Sequence, residues 1–386
     1  MTEFTPLSVV RIARQVGEAT RSAVEVAKEA LARVAAYEAI QPAVWIDRIP
    51  PAEVLAAAAA VDARVAAGER LRLAGVPFAV KDNIDVAGRP TTAACPAFAY
   101  QPSETAPVVA KLLAEGAVLI GKTNLDQFAT GLVGARSPFG ACRAVHNRAY
   151  ISGGSSSGSA VATAAGLVAF ALGTDTAGSG RVPAALNGLV GLKPTRGRWS
   201  TRGVVPACRT LDCVTVLTST AAEATLVDDV VAGFDPADPY ARRPQDPKPR
   251  LPPEFRVAIP KPGQINWLSD AQSPAFFAAA LRRLETIGGR LVEVDIAPLT
   301  AAAAMLYQGP WVAERTAEAE TLLRARPGAI EPTVRAVLQG GFALSAIDAF
   351  RAEYELKAHA RAAEAIWADA DVLVLPTCAT TTAFAR

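Results

Sequence analysis

Two runs of small residues, each set against apolar segments, constrain this chain more than any other feature. The first is Gly153-Gly154-Ser155-Ser156-Ser157-Gly158-Ser159 and the second is Gly173-Thr174-Asp175-Thr176-Ala177-Gly178-Ser179-Gly180-Arg181. Gly/Ser runs are often flexible linkers. These two are followed directly by the apolar stretches Val161–Leu172 and Val182–Leu192, so they read as loops inside a core. Ser155 and Ser179 lie 24 positions apart, and Lys81 stands well ahead of both, ending Gly75-Val76-Pro77-Phe78-Ala79-Val80-Lys81. Together the three segments hold a nucleophile, a second hydroxyl, a base and backbone N–H groups free of bulky neighbours. That inventory is what acyl transfer from an amide needs.

Short apolar runs alternate with helical spacing along the chain. Residues 7–39 carry apolar positions at helical intervals and predict two helices, with a third at 51–67. Val76–Val80, Val118–Ile120, Leu167–Leu172 and Val214–Leu217 predict buried strands, and Ala106–Ala114 and Ser157–Ala165 predict helices. The segment 234–253 holds seven prolines among charges and predicts a surface loop or linker. After it come a strand at Arg256–Ile259, a helix at Pro274–Thr286, a strand at Leu291–Val294, long helices around 300–323 and 344–370, and a last strand at Asp371–Pro376. This alternation predicts an α/β fold with a largely buried sheet. A length of 386 residues allows two or three average domains or one large α/β unit.

Composition removes several classes of function. A net charge of +2 gives no bulk field for nucleic acid or a membrane surface. Five cysteines with no CxxC pair argue against a disulfide framework and for a reducing, cytoplasmic setting. The N-terminus lacks a basic and an apolar signal region, and no apolar run is long enough to span a bilayer. The only histidines are His146 and His359, too few for a zinc site of several His ligands. Gly154-Ser155-Ser156-Ser157-Gly158 matches the GxSxG nucleophile elbow, but the required Ser-acid-His order leaves only His359, which sits among helical charges. Gly116-Ala117-Val118-Leu119-Ile120-Gly121-Lys122-Thr123 matches the phosphate-loop expression letter for letter. Its middle residues read as a strand, whose N–H groups belong to a sheet and not to a phosphate. A lysine whose pKa is lowered by burial is the remaining base, and Ser-Lys pairs are a known alternative to Ser-His-Asp.

The block from Gly153 to about Arg198 closely resembles the signature region of the amidase signature family. The matching motifs are Gly-Gly-Ser-Ser, Gly-Thr-Asp-x-x-Gly-Ser-x-Arg and Gly188-Leu189-Val190-Gly191-Leu192-Lys193-Pro194-Thr195. The lysine segment Gly75–Asn83, Gly121-Lys122-Thr123-Asn124 and Asp371–Thr377 are similar to further landmarks, in the same order. The resemblance implies a mixed central β-sheet sandwiched between layers of α-helices. It implies one amidase signature domain over residues 1–386, C-terminally short because family members run on past the last motif, with 234–253 as a loop within it.

The family's roles carry over residue by residue. Ser179 would be the nucleophile, Ser155 the relay serine and Lys81 the base. The backbone N–H groups of Thr176, Ala177, Gly178 and Ser179 would form the oxyanion hole, and Asp175 and Arg181 would support that loop. Ala177 and Gly180, unusual in the wider family, resemble the allophanate hydrolase branch, as does Thr91-Thr92-Ala93-Ala94-Cys95-Pro96. That branch holds its small anionic amide substrate with a Tyr and an Arg eight residues apart, here Tyr307 and Arg315. The implied function is release of ammonia from allophanate in urea degradation, with no metal or organic cofactor; a homodimer is a further expectation of the family. Another small-amide amidase, an inactive truncated homologue and one component of a tRNA-dependent amidotransferase stay open as alternatives.

Overall fold

The structure is a computed structural model that describes residues 5–243 and 251–384. It divides into two compact units, one comprising Met1–Pro244, Glu318–Ala336 and Ala383–Arg386, the other Gln245–Ala317 and Val337–Thr382. Part of the Pro-rich segment, 244–250, lies outside the described residues. Its described parts, 234–243 and 251–253, contain no helix or strand.

The first unit is built on a six-stranded mixed sheet. Its strands are β1 (Trp45–Arg48), β2 (Pro77–Lys81), β3 (Val118–Thr123), β4 (Phe170–Asp175), β5 (Val190–Leu192) and β6 (Cys213–Thr218), in the spatial order β1-β3-β2-β4-β6-β5. The central strands β3, β2 and β4 run parallel, while β1, β6 and β5 pair antiparallel with their neighbours. Every residue of β2, β3, β4 and β6 is buried. Strands covered on both faces read as continuous apolar runs, which is why hydropathy alone locates them. Phe78 of β2 stacks on Phe170 of β4, their centroids 5.3 Å apart and their registers paired.

Helices α1 (Val9–Gly17), α2 (Ala23–Glu38), α3 (Pro51–Ala66), α4 (Pro107–Ala114), α5 (Ser157–Ala164), α6 (Arg181–Leu186) and α7 (Ala221–Val231) also belong to this unit. In α1, buried Val9, Ile12 and Val16 make the inward stripe, with Ser8 as N-cap. By contrast α5 is buried all round, and its sequence SGSAVATA is correspondingly small. A Cβ at Gly158 would lie 2.4 Å from the Val44 carbonyl oxygen, so only glycine lets this helix approach so closely.

The second unit carries a three-stranded parallel sheet of β7 (Phe255–Pro260), β8 (Gly289–Val294) and β9 (Val372–Leu373), ordered β8-β7-β9. It also contains α8 (Ser273–Thr286), α9 (Ala297–Gln308) and α12 (Ala346–Asp369). Between them in the chain, α10 (Trp311–Ala325) and α11 (Pro332–Gly340) cross the unit boundaries. Ala258, Val294, Ile296, Ile366 and Ala370 form its small core.

The structure departs from the sequence reading in four places. Strands β1 and β5 have no counterpart among the expected strands, being short and partly exposed. The strand expected at Leu167–Leu172 begins at Phe170 and runs on to Asp175, because hydropathy cannot separate a buried turn from a buried strand. The helix expected over 300–323 breaks at Gly309-Pro310, where proline lacks the N–H that a continuous helix needs. Of Asp371–Pro376 only Val372–Leu373 pair as strand. Among the described residues no helix is long and apolar enough to cross a membrane.

Candidate active site

The parallel strands β2, β3 and β4 end together, and the segments that follow them converge, as is usual at the carboxyl edge of an α/β sheet. Lys81 is the last residue of β2 and pairs in register with Thr123, the last of β3. Asn124–Asp126 leave β3, and Thr176–Ser179 leave β4.

Lys81 is fully buried. Its Nζ lies 2.7 Å from Ser155 Oγ and 2.7 Å from Thr174 Oγ1, and Asn83 Nδ2 donates to the same Thr174 hydroxyl at 3.3 Å. Burial lowers the Lys81 pKa to about 7, even though the carboxylates of Asp126, Asp212 and Asp175 pull it back up. The amine is therefore substantially neutral near pH 7, with a lone pair that can accept the Ser155 hydroxyl proton.

The first small-residue loop reaches Lys81 through a tightly packed turn in which the Gly154–Ser155 peptide is cis. Ser156 then joins this loop to the second. Its N–H donates to the Ser179 carbonyl oxygen at 3.1 Å, its Oγ donates to the Thr174 carbonyl at 3.1 Å, and it accepts the Thr174 N–H at 3.2 Å. Ser155 and Ser179, distant in sequence, thus sit on loops stitched by one intervening residue. Ser179 itself is buried, 4% exposed.

The second loop is closed by Asp175 and Arg181. Asp175 accepts the N–H groups of Gly178 (2.6 Å), Gly180 (3.1 Å) and Arg181 (3.2 Å), and Arg181 grips both its oxygens through Nε and Nη2 at 2.9 and 2.8 Å. Burial alone would push the Asp175 pKa up; the Arg181 guanidinium and the backbone donors outweigh it and hold the carboxyl below its ordinary value. One expectation changes here. The Gly178 N–H is committed to Asp175 Oδ1, which removes it from the oxyanion donors and leaves Thr176, Ala177 and Ser179 as candidates. From outside, the Thr176 hydroxyl donates to Asp212, which also accepts the Ala207 N–H at 2.8 Å. Gly180 has a steric reason, since a Cβ there would lie 2.6 Å from Thr215 Oγ1.

Tyr307 and Arg315 lie in the second unit. The Arg315 guanidinium covers the Tyr307 ring at 4.8 Å from its centroid, and Arg315 is buried while Tyr307 is 42% exposed. Gly116–Thr123 is strand β3 and the turn before it, as its residues predict. Its Lys122 is buried against Asp82 at 3.0 Å and donates to the Pro90 carbonyl and Thr91 Oγ1 at 2.7 Å each. Burial pushes Asp82 up and Lys122 down. His359 lies on α12 beside Glu355, 3.6 Å away.

Sequence reasoning does not single out Thr174, Ser156, Asp126 or Asp212. Thr174 and Ser156 lie inside the quoted motifs, and Asp126 follows the Gly121–Asn124 landmark by two residues, so position is the available signal. Asp212 has none, because only folding brings it to Thr176.

The Amidase family model matches residues 26–385. A urea amidolyase of Lachancea kluyveri is 48% identical over 314 residues, covering 80% of this chain and 17% of that protein. One component of the Synechococcus glutamyl-tRNA(Gln) amidotransferase is 35% identical, covering 97% of this chain and 83% of that component. The structure of Kluyveromyces lactis allophanate hydrolase superposes with a TM-score of 0.92 at 40% identity, covering 98% of this chain and 62% of that one. The chain thus spans only about a sixth of the urea amidolyase it matches, 17%.

Proposed function

The chain belongs to the amidase family, and from that premise we propose that it hydrolyses the C–N bond of a small anionic amide, with allophanate as the leading substrate. The observation that carries this reading is the buried Lys81 Nζ, 2.7 Å from Ser155 Oγ and with its pKa lowered to about 7. A lysine can serve as a base near pH 7 where burial lowers its pKa enough for the neutral amine to be populated, and this one is fully buried.

In the proposed cycle Ser155 passes its hydroxyl proton to Lys81 Nζ and takes the proton of Ser179 Oγ. Ser179 Oγ then attacks the amide carbonyl carbon, and the carbonyl π electrons move to oxygen. Backbone N–H groups of Thr176, Ala177 and Ser179 would receive that oxyanion. Collapse breaks the C–N bond, and the Lys81 proton returns through Ser155 to the leaving nitrogen. A water molecule, deprotonated through the same relay, then attacks the acyl-enzyme; its proton returns to Ser179 as the C–O bond breaks. Side chains, amide and one water account for every proton and electron pair.

The proposal of an anionic substrate rests on the likeness to urea amidolyase and allophanate hydrolase, and Arg315, whose guanidinium shape suits a carboxylate, is the residue proposed to read that charge. The test is ammonia release from allophanate, biuret and neutral amides by this chain and by its Arg315→Ala variant. The reading expects allophanate to lead and to suffer far more from the substitution; equal losses on charged and neutral amides reject the carboxylate role. The near full-length likeness to the amidotransferase component favours a second reading, in which the chain releases ammonia from glutamine for a partner. Glutaminase activity with no turnover of allophanate would favour it.

A further inference from the structure

We propose that Asp126 is a positioning residue for the proton relay, holding Ser155 against Lys81 by gripping the chain on both sides of it. The inference rests on the reading that Lys81, Ser155 and Ser179 form one relay, and it adds a residue that the relay itself does not contain.

The grip begins with the main chain. The Asp126 N–H donates to the Ser155 carbonyl oxygen at 3.1 Å, fixing the peptide that follows Ser155. The Asp126 side chain reaches the residue that precedes it: a Cβ on Gly154 would lie 2.2 Å from Asp126 Oδ2, so the carboxylate occupies the space that any other residue there would fill. The same carboxylate gathers a turn around itself. Its Oδ2 accepts the N–H groups of Val133 (3.1 Å) and Gly134 (3.0 Å), and its Oδ1 accepts that of Arg136 (2.9 Å). That turn is pressed onto the Ser155 loop from the other side, because a Cβ at Gly134 would come within 2.4 Å of Ser152 Oγ and 2.6 Å of the Gly153 carbonyl oxygen. Asp126 is fully buried throughout.

This arrangement exceeds what packing requires. An apolar residue would fill the space but leave three inward-pointing N–H groups unsatisfied, each a sizeable cost in a dry interior. A charged residue meets them, and its placement brings a negative charge to bear on Lys81. The charged groups facing Lys81 are Asp126 from the segment after β3, Asp175 at the end of β4 with Arg181 paired to it, and Asp212 ahead of β6; the three carboxylates each favour the ammonium form. Asp126 is thus placed to act on the relay in two ways, through the position of Ser155 and through the proton affinity of Lys81.

The experiment compares the full chain with Asp126→Asn and Asp126→Ala. Three readouts are taken: acylation of Ser179 by a fluorophosphonate probe, kcat and KM for allophanate, and the pH profile of kcat/KM, with the folded fraction of each protein measured alongside. Asparagine keeps an acceptor for Val133 and Gly134 but turns an N–H₂ toward the Arg136 N–H, so it preserves the shape and removes the charge. The expected result for Asp126→Asn is a fall in kcat of about 100-fold with KM changed little, the scale of loss that small misplacements in an active site produce. Removing the charge also makes Lys81 easier to deprotonate, so the rising limb of the profile moves to lower pH. A loss that merely follows the unfolded fraction, or a limb that stays in place at unchanged kcat, overturns the proposal. An unmodified wild-type Ser179 overturns the relay reading beneath it, whereas a labelled wild type with equally labelled variants overturns the role of Asp126 alone.

Discussion

Lys81 Nζ and Ser155 Oγ are 2.7 Å apart, and both residues are fully buried although 74 positions separate them in the chain. Lys81 is fixed as the last residue of a strand covered on both faces, and Ser155 as part of the turn entering a helix made of small residues. The pair therefore has little freedom to separate, and burial lowers the proton affinity of the amine.

The first prediction concerns pH. Lys81 must be neutral to accept a proton, and its pKa is lowered to about 7. The rate kcat/KM should rise with pH through about 7 and flatten above it. Lys81→Met should lower kcat by at least about 10³-fold, in the range general base catalysis supplies, and should abolish that limb. A pH–rate profile of both proteins checks this.

The second separates the two serines. Ser179→Ala should abolish phosphonate labelling and turnover while leaving the melting temperature almost unchanged, because a loop hydroxyl adds little to stability. Ser155→Ala should keep slow labelling at Ser179 and lower the rate by about 10²- to 10⁴-fold, the usual contribution of positioned proton transfer. Mass spectrometry of the labelled proteins distinguishes the two; unchanged turnover in Ser179→Ala would remove the proposed nucleophile.

The third tests the brace of the second loop. Asp175→Asn loses the charge that pairs with Arg181 and an acceptor for backbone N–H groups, and should cost about 2 kcal/mol. Its folded-state pKa lies below the ordinary value, so its contribution is complete above about pH 4 and is lost as pH falls through the depressed value. Denaturant titrations at neutral and at acidic pH should therefore show the wild type losing more of its stability than the variant over that interval.

The fourth concerns glycine in the same loop. A Cβ at Gly180 meets Thr215 Oγ1 at 2.6 Å and Thr215 Cβ at 3.0 Å. Gly180→Ala should destabilise the protein by about 1–3 kcal/mol, as overpacking does, and Thr215→Ala should recover part of that loss. A double-mutant cycle from urea unfolding measures the coupling; strictly additive losses would contradict the contact.

The fifth lies beneath the site. Phe78 stacks on Phe170 at 5.3 Å, on the strand that ends in Lys81. Phe78→Ala should cost about 3–5 kcal/mol, visible as an earlier thermal transition.

The residues themselves determined much of this protein. Continuous apolar runs located the buried strands, two histidines removed the usual base, and the family resemblance put forward Lys81, Ser155 and Ser179 as candidates. The helix break at Gly309-Pro310, which the expected span 300–323 ran across, has a local cause all the same, since proline's missing N–H acts within one turn. What only the tertiary structure decided were the partners. Thr174 as a second contact of Lys81, the Ser156 stitch between the loops, the commitment of the Gly178 N–H to Asp175, and the grip of Asp126 on Ser155 all depend on atoms remote in sequence or on which of several donors faces inward. Hydropathy and motif spacing record which residues must be buried and in what order they come. They do not record direction, and hydrogen bonds and proton affinities in a dry interior are set by direction and by distances of a few ångströms.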